Sequence, residues 1–531
     1  MFSFKNAKLL FIPFTLFVAV FVGVQVARAD STNPTSNNAV YLPLIVRNQG
    51  DTGNPQPPAT PLPTTRPTAT PQATATPVAQ PTPTPTTAAS EGAVWLPYRR
   101  SDDKVLPTYG ASVGVDPQGG IHAAYTLLSA YDQAADGYTV YAYCAANCTN
   151  KASWNFLHLS DASEVRLQLD AQGHPRLLLM TRGADENQNQ HLIFQYATCA
   201  NNCTNGANWS FTPLVDTLDC ISCVGGRENV NNRYFALDPA GHPAFIYPAA
   251  DPNNEYHSLL YYASCMSDAA SCTQATNWTS GLIADGSFPM QPSLTFAGVG
   301  KPRLAFLENN SMRSVLYYMQ CDQDCGDTNQ WAWTKVTPTS SRDSLRFRLA
   351  VDANGRPRLA LYSSDYNSNV SSPFTDATLY YGWCDANCVD EQASGWNWSP
   401  IGLPTLAGSD VDLALDKQGR PRMAYMDHNQ GLGYSWCNQN CEGANAQWQH
   451  GVAETNTSLS NDYDVLPIHK CTVSTWFTGV RPTLTLDEQG NPRIVYDAQH
   501  YWYGTETDGA GTHSCDFKDI NVTRVAMFNQ P

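Results

Sequence analysis

From residue 107 onward one short motif recurs, apolar-x-apolar-Asp-x-x-Gly-x-Pro, and a chain built this way has few folds open to it. The copies are anchored at Asp116, Asp170, Asp238, Ala297, Asp352, Asp416 and Asp487, spaced by 54, 68, 59, 55, 64 and 71 residues. Ala297 replaces the aspartate of the fourth copy, and Gly120-Ile121 replaces the x-Pro of the first. Within one unit, residues 165–169 alternate into a strand that stops at Asp170-Ala171-Gln172-Gly173. That tetrapeptide is turn chemistry, because Asp bonds its own backbone and Gly supplies positive φ. Pro175 opens a second strand, where its missing N–H is tolerated. A third strand covers 191–198 and a fourth starts at Trp209, with no helical period anywhere. Seven such units predict an all-β chain: a seven-bladed β-propeller with four-stranded antiparallel blades, spanning residues 93–531.

The third strands carry the most regular side chains. A tyrosine stands three residues before a cysteine at Tyr141, Tyr196, Tyr262, Tyr318, Tyr381 and Tyr434. A tryptophan follows the next cysteine at Trp154, Trp209, Trp278, Trp331, Trp396 and Trp448. Aromatics at a repeated position read as blade-to-blade packing rather than as a ligand platform. The cysteines share one slot, bracketing the loop between strands three and four. They predict local disulfides Cys144–Cys148, Cys199–Cys203, Cys321–Cys325, Cys384–Cys388 and Cys437–Cys441, with Cys265–Cys272 as a wider variant. Cys220–Cys223 lies in a different loop and is read as a further structural bond, which leaves Cys471 and Cys515 to each other by elimination. No four-cysteine set has zinc spacing, so no metal site is expected.

Sixteen cysteines imply disulfides only if the chain leaves the cytoplasm. Residues 1–29 supply that condition. Lys5 and Lys8 precede an apolar run over 9–26, and Ala27-Arg28-Ala29 fits the small-x-small cleavage rule. An uncleaved membrane anchor is the alternative reading of the same run. After cleavage no span remains, so the expectation is a secreted or surface-tethered monomer. A short apolar segment (30–50) and a Pro/Thr-rich linker (51–92) follow; the linker has too few apolar side chains to fold and is expected as a disordered stalk. The pattern Ala-Val-aromatic-Leu-Pro occurs on both sides of it, at 39–43 and 93–97, each time followed by an arginine (Arg47, Arg99). The second copy is expected to lead into the first strand of the propeller; the first is read either as a surface-retention element or as an accidental β-like segment.

The formal charge of −16 argues against nucleic acid and anionic membrane surfaces as partners, since both need basic patches. Function is sought where the scaffold varies. The Asp turns and cysteine loops are stereotyped and fall on one face, while the opposite loops vary in length and carry the expected ligand face. The insertion at 455–479, with Tyr463, His469, Trp476 and Phe477, is a candidate rim. Six and four residues before each anchor, where the innermost strands start, stand Glu164 and Arg166, Tyr234, Arg346 and Arg348, Asp410 and Asp412, and Arg481. Converging guanidiniums suit a carboxylate ligand, because the fork binds it bidentately. A ring of mutually neutralising ion pairs is the other reading of the same residues. The arginines that follow the repeated prolines (Arg176, Arg303, Arg358, Arg422, Arg493) are read as architectural, reaching a neighbouring blade's turn aspartate. The loop Asp251-Pro252-Asn253-Asn254-Glu255 offers oxygen atoms for calcium but lacks an EF-hand spacing, so no cofactor is expected.

The copies D-A-N-G-R-P-R-L-A (352–360) and D-K-Q-G-R-P-R-M-A-Y (416–425) resemble repeats of exported bacterial β-propellers of the broad sialidase-like group, over residues 107–531. Membership of the sialidases proper would imply an arginine triad, a tyrosine nucleophile with a glutamate partner, and an aspartate acid. The S-x-D-x-G-x-x-W boxes and the R-I-P motif are absent. Arg166, Arg348, Arg481, Glu164, Tyr234 and Asp412 match those roles by position alone. The expected function is therefore an extracellular binding module for a glycan or protein, with no catalytic residue assigned. A structural envelope protein and a glycoside hydrolase or lyase with a channel-mouth site are the alternatives.

Overall fold

The computed structural model describes residues 90–96, 108–128, 137–184, 189–218, 233–251, 254–286, 289–310, 313–336, 344–366, 374–390, 395–403, 407–427, 429–443, 445–461, 471–508 and 511–529. The expected signal (1–29), the 30–50 segment, nearly all of the 51–92 linker and the Cys220–Cys223 bond lie outside them. The described residues form seven four-stranded antiparallel sheets. Their first strands are Thr108–Val115, Glu164–Leu169, Phe235–Leu237, Pro289–Phe296, Ser344–Val351, Ala407–Leu415 and Val473–Leu486. Each of these touches the next, and the last touches the first, so the sheets follow one another round a closed ring, as in a β-propeller. No described helix is long and apolar enough to cross a membrane.

The ring is closed by a strand from far away in sequence. Ser90–Trp95 pairs antiparallel with Gly511–Phe528 as the outermost strand of the seventh sheet, with Val94 opposite Val525. The segment expected to lead into the first sheet thus completes the last one instead. Its strand also begins at Ser90, inside the stretch assigned to the linker.

Each Asp turn is a small hydrogen-bonded unit. In Asp352, one carboxylate oxygen accepts from the N–H groups of Asn354 and Arg356, both at 2.9 Å. The other oxygen takes the guanidinium of Arg358, at 3.1 Å. The same arrangement recurs at Asp170 with Arg176, Asp416 with Arg422 and Asp487 with Arg493. These arginines therefore bond the turn of their own sheet, not that of a neighbour. Their second nitrogen reaches carbonyls of the same sheet, as Arg422 does to Cys437 at 2.8 Å. A guanidinium has five donors, enough to tie a turn to a cysteine loop at once. Where the fourth turn carries Ala297, Arg303 pairs with Asp322 at 2.8 Å instead. In the first sheet His122 stands in for the arginine, 3.2 Å from Asp116.

Seven disulfides form as expected, including Cys471–Cys515. The five short loops share a device the sequence shows only in retrospect. The residue before the second cysteine is Asn147, Asn202, Asp324, Asn387 or Asn440, and all five take left-handed backbone with φ from 48° to 56°. Asn and Asp tolerate that region better than other side chains. In four of these loops the tryptophan indole N–H then donates to the second cysteine's carbonyl, as Trp209 does to Cys203 at 2.9 Å and Trp331 to Cys325 at 2.9 Å. Against the tryptophans of the second to sixth sheets lies the tyrosine of the preceding sheet, edge-on. Tyr141–Trp209, Tyr196–Trp278, Tyr262–Trp331 and Tyr318–Trp396 have centroids 5.2–5.4 Å apart. Tyr434 meets Phe528 in the same manner at 5.0 Å. Tyr–Trp stacking between sheets is thus the packing the sequence predicts.

One buried polar group in the sixth sheet makes stability depend on pH. His450 accepts or donates through Nδ1 with Ser435 Oγ at 2.8 Å, and burial pushes its pKa down to about 4. An unfolded histidine titrates near 6.5, so between about 6.5 and 4 the unfolded chain binds more protons than the folded one. The stability His450 confers is therefore present above about pH 6.5 and is lost as pH falls toward 4, by about 3 kcal/mol at the limit. Urea unfolding of the native chain and of His450→Asn between pH 7 and pH 4 measures this. The difference between the two curves should change by one proton's worth of slope; parallel curves would rule the assignment out.

Candidate functional site

The site is the ring axis, and its shape comes from breaks in the innermost strands. Gly110, Gln291 and Arg481 each stand six residues before an anchor and take φ of 64°, 54° and 50°. The pairing register shifts at each of these positions. Such bulges re-aim side chains, and non-glycine residues there cost strain that other contacts must offset. At Arg481 two contacts do so. Its backbone N–H donates to Asp410 at 3.1 Å and its Nε to Asp497 at 2.8 Å.

At the centre lies Asp412, almost fully buried. One oxygen accepts from the Leu484 N–H at 2.5 Å and is bonded by Arg233, which reaches it from the third sheet. Arg348 Nε lies 2.5 Å from the other oxygen. Burial raises the Asp412 carboxyl to about 6 against the opposing pull of Arg233, and burial likewise lowers Arg233. Asp412 is therefore ionised at neutral pH and held between two guanidiniums.

The second sheet supplies Glu164 and Arg166, 3.6 Å apart. Arg166 also donates to the Gly110 carbonyl at 3.2 Å and lies over the Tyr234 ring, 5.0 Å from its centre. Tyr234 donates its hydroxyl to Glu164 at 3.4 Å. Burial pushes the Tyr234 phenol up, so it stays protonated and acts as a donor. Arg346 and Asp410 both lie near enough to Tyr362 to act on its hydroxyl. All eight residues singled out from the sequence are thus near the inner strands, but they fall into separate groups. Glu164, Arg166 and Tyr234 form one, Arg348 and Asp412 another, and Asp410 and Arg481 a third, with Arg346 joining Asp410 beside Tyr362.

Two members of the site were missed. Arg233 stands five residues before its anchor, an odd offset that reading six and four residues back skips. Asp497 sits in a second strand and is buried against Arg481 and the Thr523 hydroxyl. The available signal was an acidic residue closing the apolar run Ile494-Val495-Tyr496.

A cavity of about 210 Å³ follows the axis, lined by Ser112, Gly114, Arg166, Gln168, Arg233 and Thr485 among others. Arg233 and Leu484, both bonded to Asp412, line this cavity, so it borders the Arg–Asp cluster. It is smaller than the roughly 300–1,000 Å³ of small-molecule sites.

The opposite, loop-bearing side has a feature of its own. In the fourth sheet, strands two and three pair from Arg303–Gln320 to Asn310–Arg313. In the seventh they pair from Arg493–Met527 to Asp508–Gly511, twice as far. At about 3.3 Å per residue the surplus is an arm of about 25 Å. The Cys471–Cys515 bond ties the chain entering the sheet's first strand to the arm, level with Gly504, which faces Cys515. Along one face Trp476 stacks on His500 at 4.5 Å, His500 lies 5.0 Å from Trp502, and Trp95 lies 5.5 Å from Trp476. Trp476, expected on a rim loop, is thus buried in the strand Val473–Leu486; Tyr463 and His469 lie outside the described residues. Glu506 adjoins the Cys471 and Cys515 sulfurs, but these are bonded to each other and offer no thiolate for a metal. Tyr503, five residues short of the hairpin turn at Asp508–Gly511, is 46% exposed.

No known family's sequence pattern matches the chain, and no curated protein matches it in sequence. Solved structures do resemble it in shape. An α-L-arabinanase of Penicillium chrysogenum complexed with arabinobiose is 12% identical, covering 65% of this chain and 94% of its own, with a TM-score of 0.34. A Hadza microbial sialidase is 9% identical over 68% of each chain, with a TM-score of 0.38. An ulvan lyase of polysaccharide lyase family 25 is 12% identical, covering 65% of this chain and 81% of its own, with a TM-score of 0.36.

Proposed function

We propose that residues 90–531 form one complete seven-bladed propeller, exported and carried on the Pro/Thr stretch, that recognises an extracellular glycan or protein without transforming it. The observation that carries this reading is the disulfide-tied arm of the seventh sheet. It puts a stiff edge bearing the exposed Tyr503 beyond the ring, on the side where the loops vary. Rigid elements hold recognition residues better than free loops do, and exposed Tyr is a frequent anchor of interfaces.

The axial residues favour recognition over hydrolysis. A glycosidase needs two carboxyl groups flanking the bond, roughly 5–9 Å apart, one of them free to act as acid. Asp412 and Asp497 are buried in ion pairs, and Glu164 is engaged by Arg166 and Tyr234. Glu164, Arg166, Tyr234, Arg346, Arg348, Asp410, Asp412 and Arg481 serve in this reading to hold the ring at the ligand face.

Glycan arrays and pull-downs from cell envelopes with the full chain test the proposal. Tyr503→Ala should weaken whatever is captured by about 30-fold, the loss typical of an interface hot spot. Val299→Ser, on the Asp-turn face and 55% exposed, should leave capture unchanged. Release of reducing sugar or of an unsaturated product from any captured glycan would refute the non-catalytic reading.

A further inference from the structure

The first strand of every sheet is its axial edge, so half of its backbone groups lie outside the ladder and point toward the axis. The turn bonds settle which ones. Asp116, Asp170 and Asp238 donate their N–H groups to Gly120, His174 and His242. Antiparallel pairing alternates from residue to residue, so the N–H groups three positions earlier, at Val113, Leu167 and Phe235, face away from the second strand. In the other four sheets the group at this position meets a protein acceptor. Leu294 donates to the Arg233 carbonyl at 2.8 Å, Leu349 to Ser293 Oγ at 3.2 Å, and Leu413 and Leu484 both to Asp412. The N–H groups of Val113, Leu167 and Phe235 have no acceptor among the described residues, and all three residues line the axial cavity of about 210 Å³. Inner-strand carbonyls fare differently. Gly110 and Val165 receive Arg166, Ala111 receives the Thr483 hydroxyl, and Leu484 receives Arg233.

Donors are thus in surplus around the cavity, and so is positive charge. Arg233 and Arg348 share the single carboxylate of Asp412. Only Nη2 of Arg233 reaches Asp412 and the Leu484 carbonyl. Its Nε and Nη1 bond no described residue, and the side chain, 28% exposed, lines the cavity. Arg166 lines it too, near enough for the two guanidiniums to repel each other. Converging backbone N–H groups and guanidiniums are the donors from which anion sites are built. At about 30 Å³ for each water, the cavity has room for a compact anion with a few waters.

We propose that the axial cavity holds a small free anion, a halide or a carboxylate the size of acetate, bound by Arg233 and by the Val113, Leu167 and Phe235 N–H groups. The ion serves the first, second and third sheets as the protein's own acceptors serve the other four. Its role is to complete the ring, whatever the loop-bearing face recognises.

Thermal unfolding of the full chain at neutral pH, with ionic strength held constant by sodium HEPES, tests this. Millimolar chloride or acetate should raise the midpoint by about 2–4 °C and then level off, as a single saturable site requires. A response to chloride marks a halide site and a response to acetate a carboxylate site; a midpoint indifferent to both overturns the proposal. A larger rise with glucuronate than with acetate would assign the cavity to the acidic group of a bulkier ligand and overturn the free-ion reading. Gln168→Glu places a tethered carboxylate on the cavity wall in a side chain of nearly equal shape, and should abolish the response to both ions. Arg233→Lys keeps a charge beside Asp412 and removes donors from the cavity, so the concentration at half-effect should rise about tenfold. A variant that folds and responds as the native chain does overturns the site; should Arg233→Lys fail to fold, Gln168→Glu decides.

Discussion

Replacing Asp412 by alanine is expected to destabilise the chain by about 3–5 kcal/mol, the cost of removing one partner from a buried ion pair. Removing the carboxylate strands Arg233 and Arg348 in the ring's interior and leaves the Leu484 N–H without its acceptor. Because the three groups come from the third, fifth and seventh sheets, the loss is not confined to one sheet and should appear as a drop of the whole unfolding transition. Asp412→Asn separates charge from shape: it keeps an acceptor for Leu484 but no negative charge, and should lie close to the alanine variant. Urea unfolding at pH 7.5, followed by tryptophan fluorescence, measures both. At that pH the native carboxylate is ionised, its pKa being about 6. Midpoints within about 1 kcal/mol of the native chain for both variants would mean the arginines relax to solvent, and the axis would then be a soft, accessible site.

The second large effect belongs to the packing between sheets. Trp331→Ala should cost about 3–5 kcal/mol, as for other large-to-small substitutions in cores. Trp331 is buried, faces Tyr262 edge-on at 5.4 Å and donates its indole N–H to Cys325 at 2.9 Å. Trp331→Phe retains most of the ring and loses the hydrogen bond, so it should cost only about 0.5–1.5 kcal/mol for that bond plus some packing. A double-mutant cycle with Tyr262→Leu should return a coupling of about 0.5–1.5 kcal/mol. A coupling near zero would show that the two rings are merely adjacent, and that the sheets are held together by something else.

The parts of this fold legible in the sequence are those whose chemistry is local and repeated. Asp-x-x-Gly declares a turn because the aspartate bonds N–H groups two and four residues on, and neighbouring cysteines declare a bond because so little chain separates them. The tyrosine-to-tryptophan contact crosses between sheets, yet it was legible because both residues recur at fixed positions. What escaped is long-range or irregular. Nothing near Val94 announces that its partner is Val525. Arg233 escaped because it stands at an odd offset beside Tyr234, and the next sheets shift register at Gln291 and Arg481. The post-proline arginines were recognised as architectural, but whether they bond their own turn or the next depends on side-chain reach, which spacing does not encode. For the axis, composition named the charged residues and could not say which would pair.

Six of the seven described disulfides join cysteines only four or seven residues apart; the exception, Cys471–Cys515, spans 44. Eight cysteines can already pair in 105 ways, and the number climbs steeply with each added pair. Here proximity along the chain resolves nearly all of that ambiguity, since each thiol meets its correct partner before any distant one. Oxidation can therefore keep pace with folding, sheet by sheet, with little need of reshuffling by an isomerase. Only Cys471–Cys515, midway along the arm, must wait for tertiary structure, which makes it a natural reporter of completed folding.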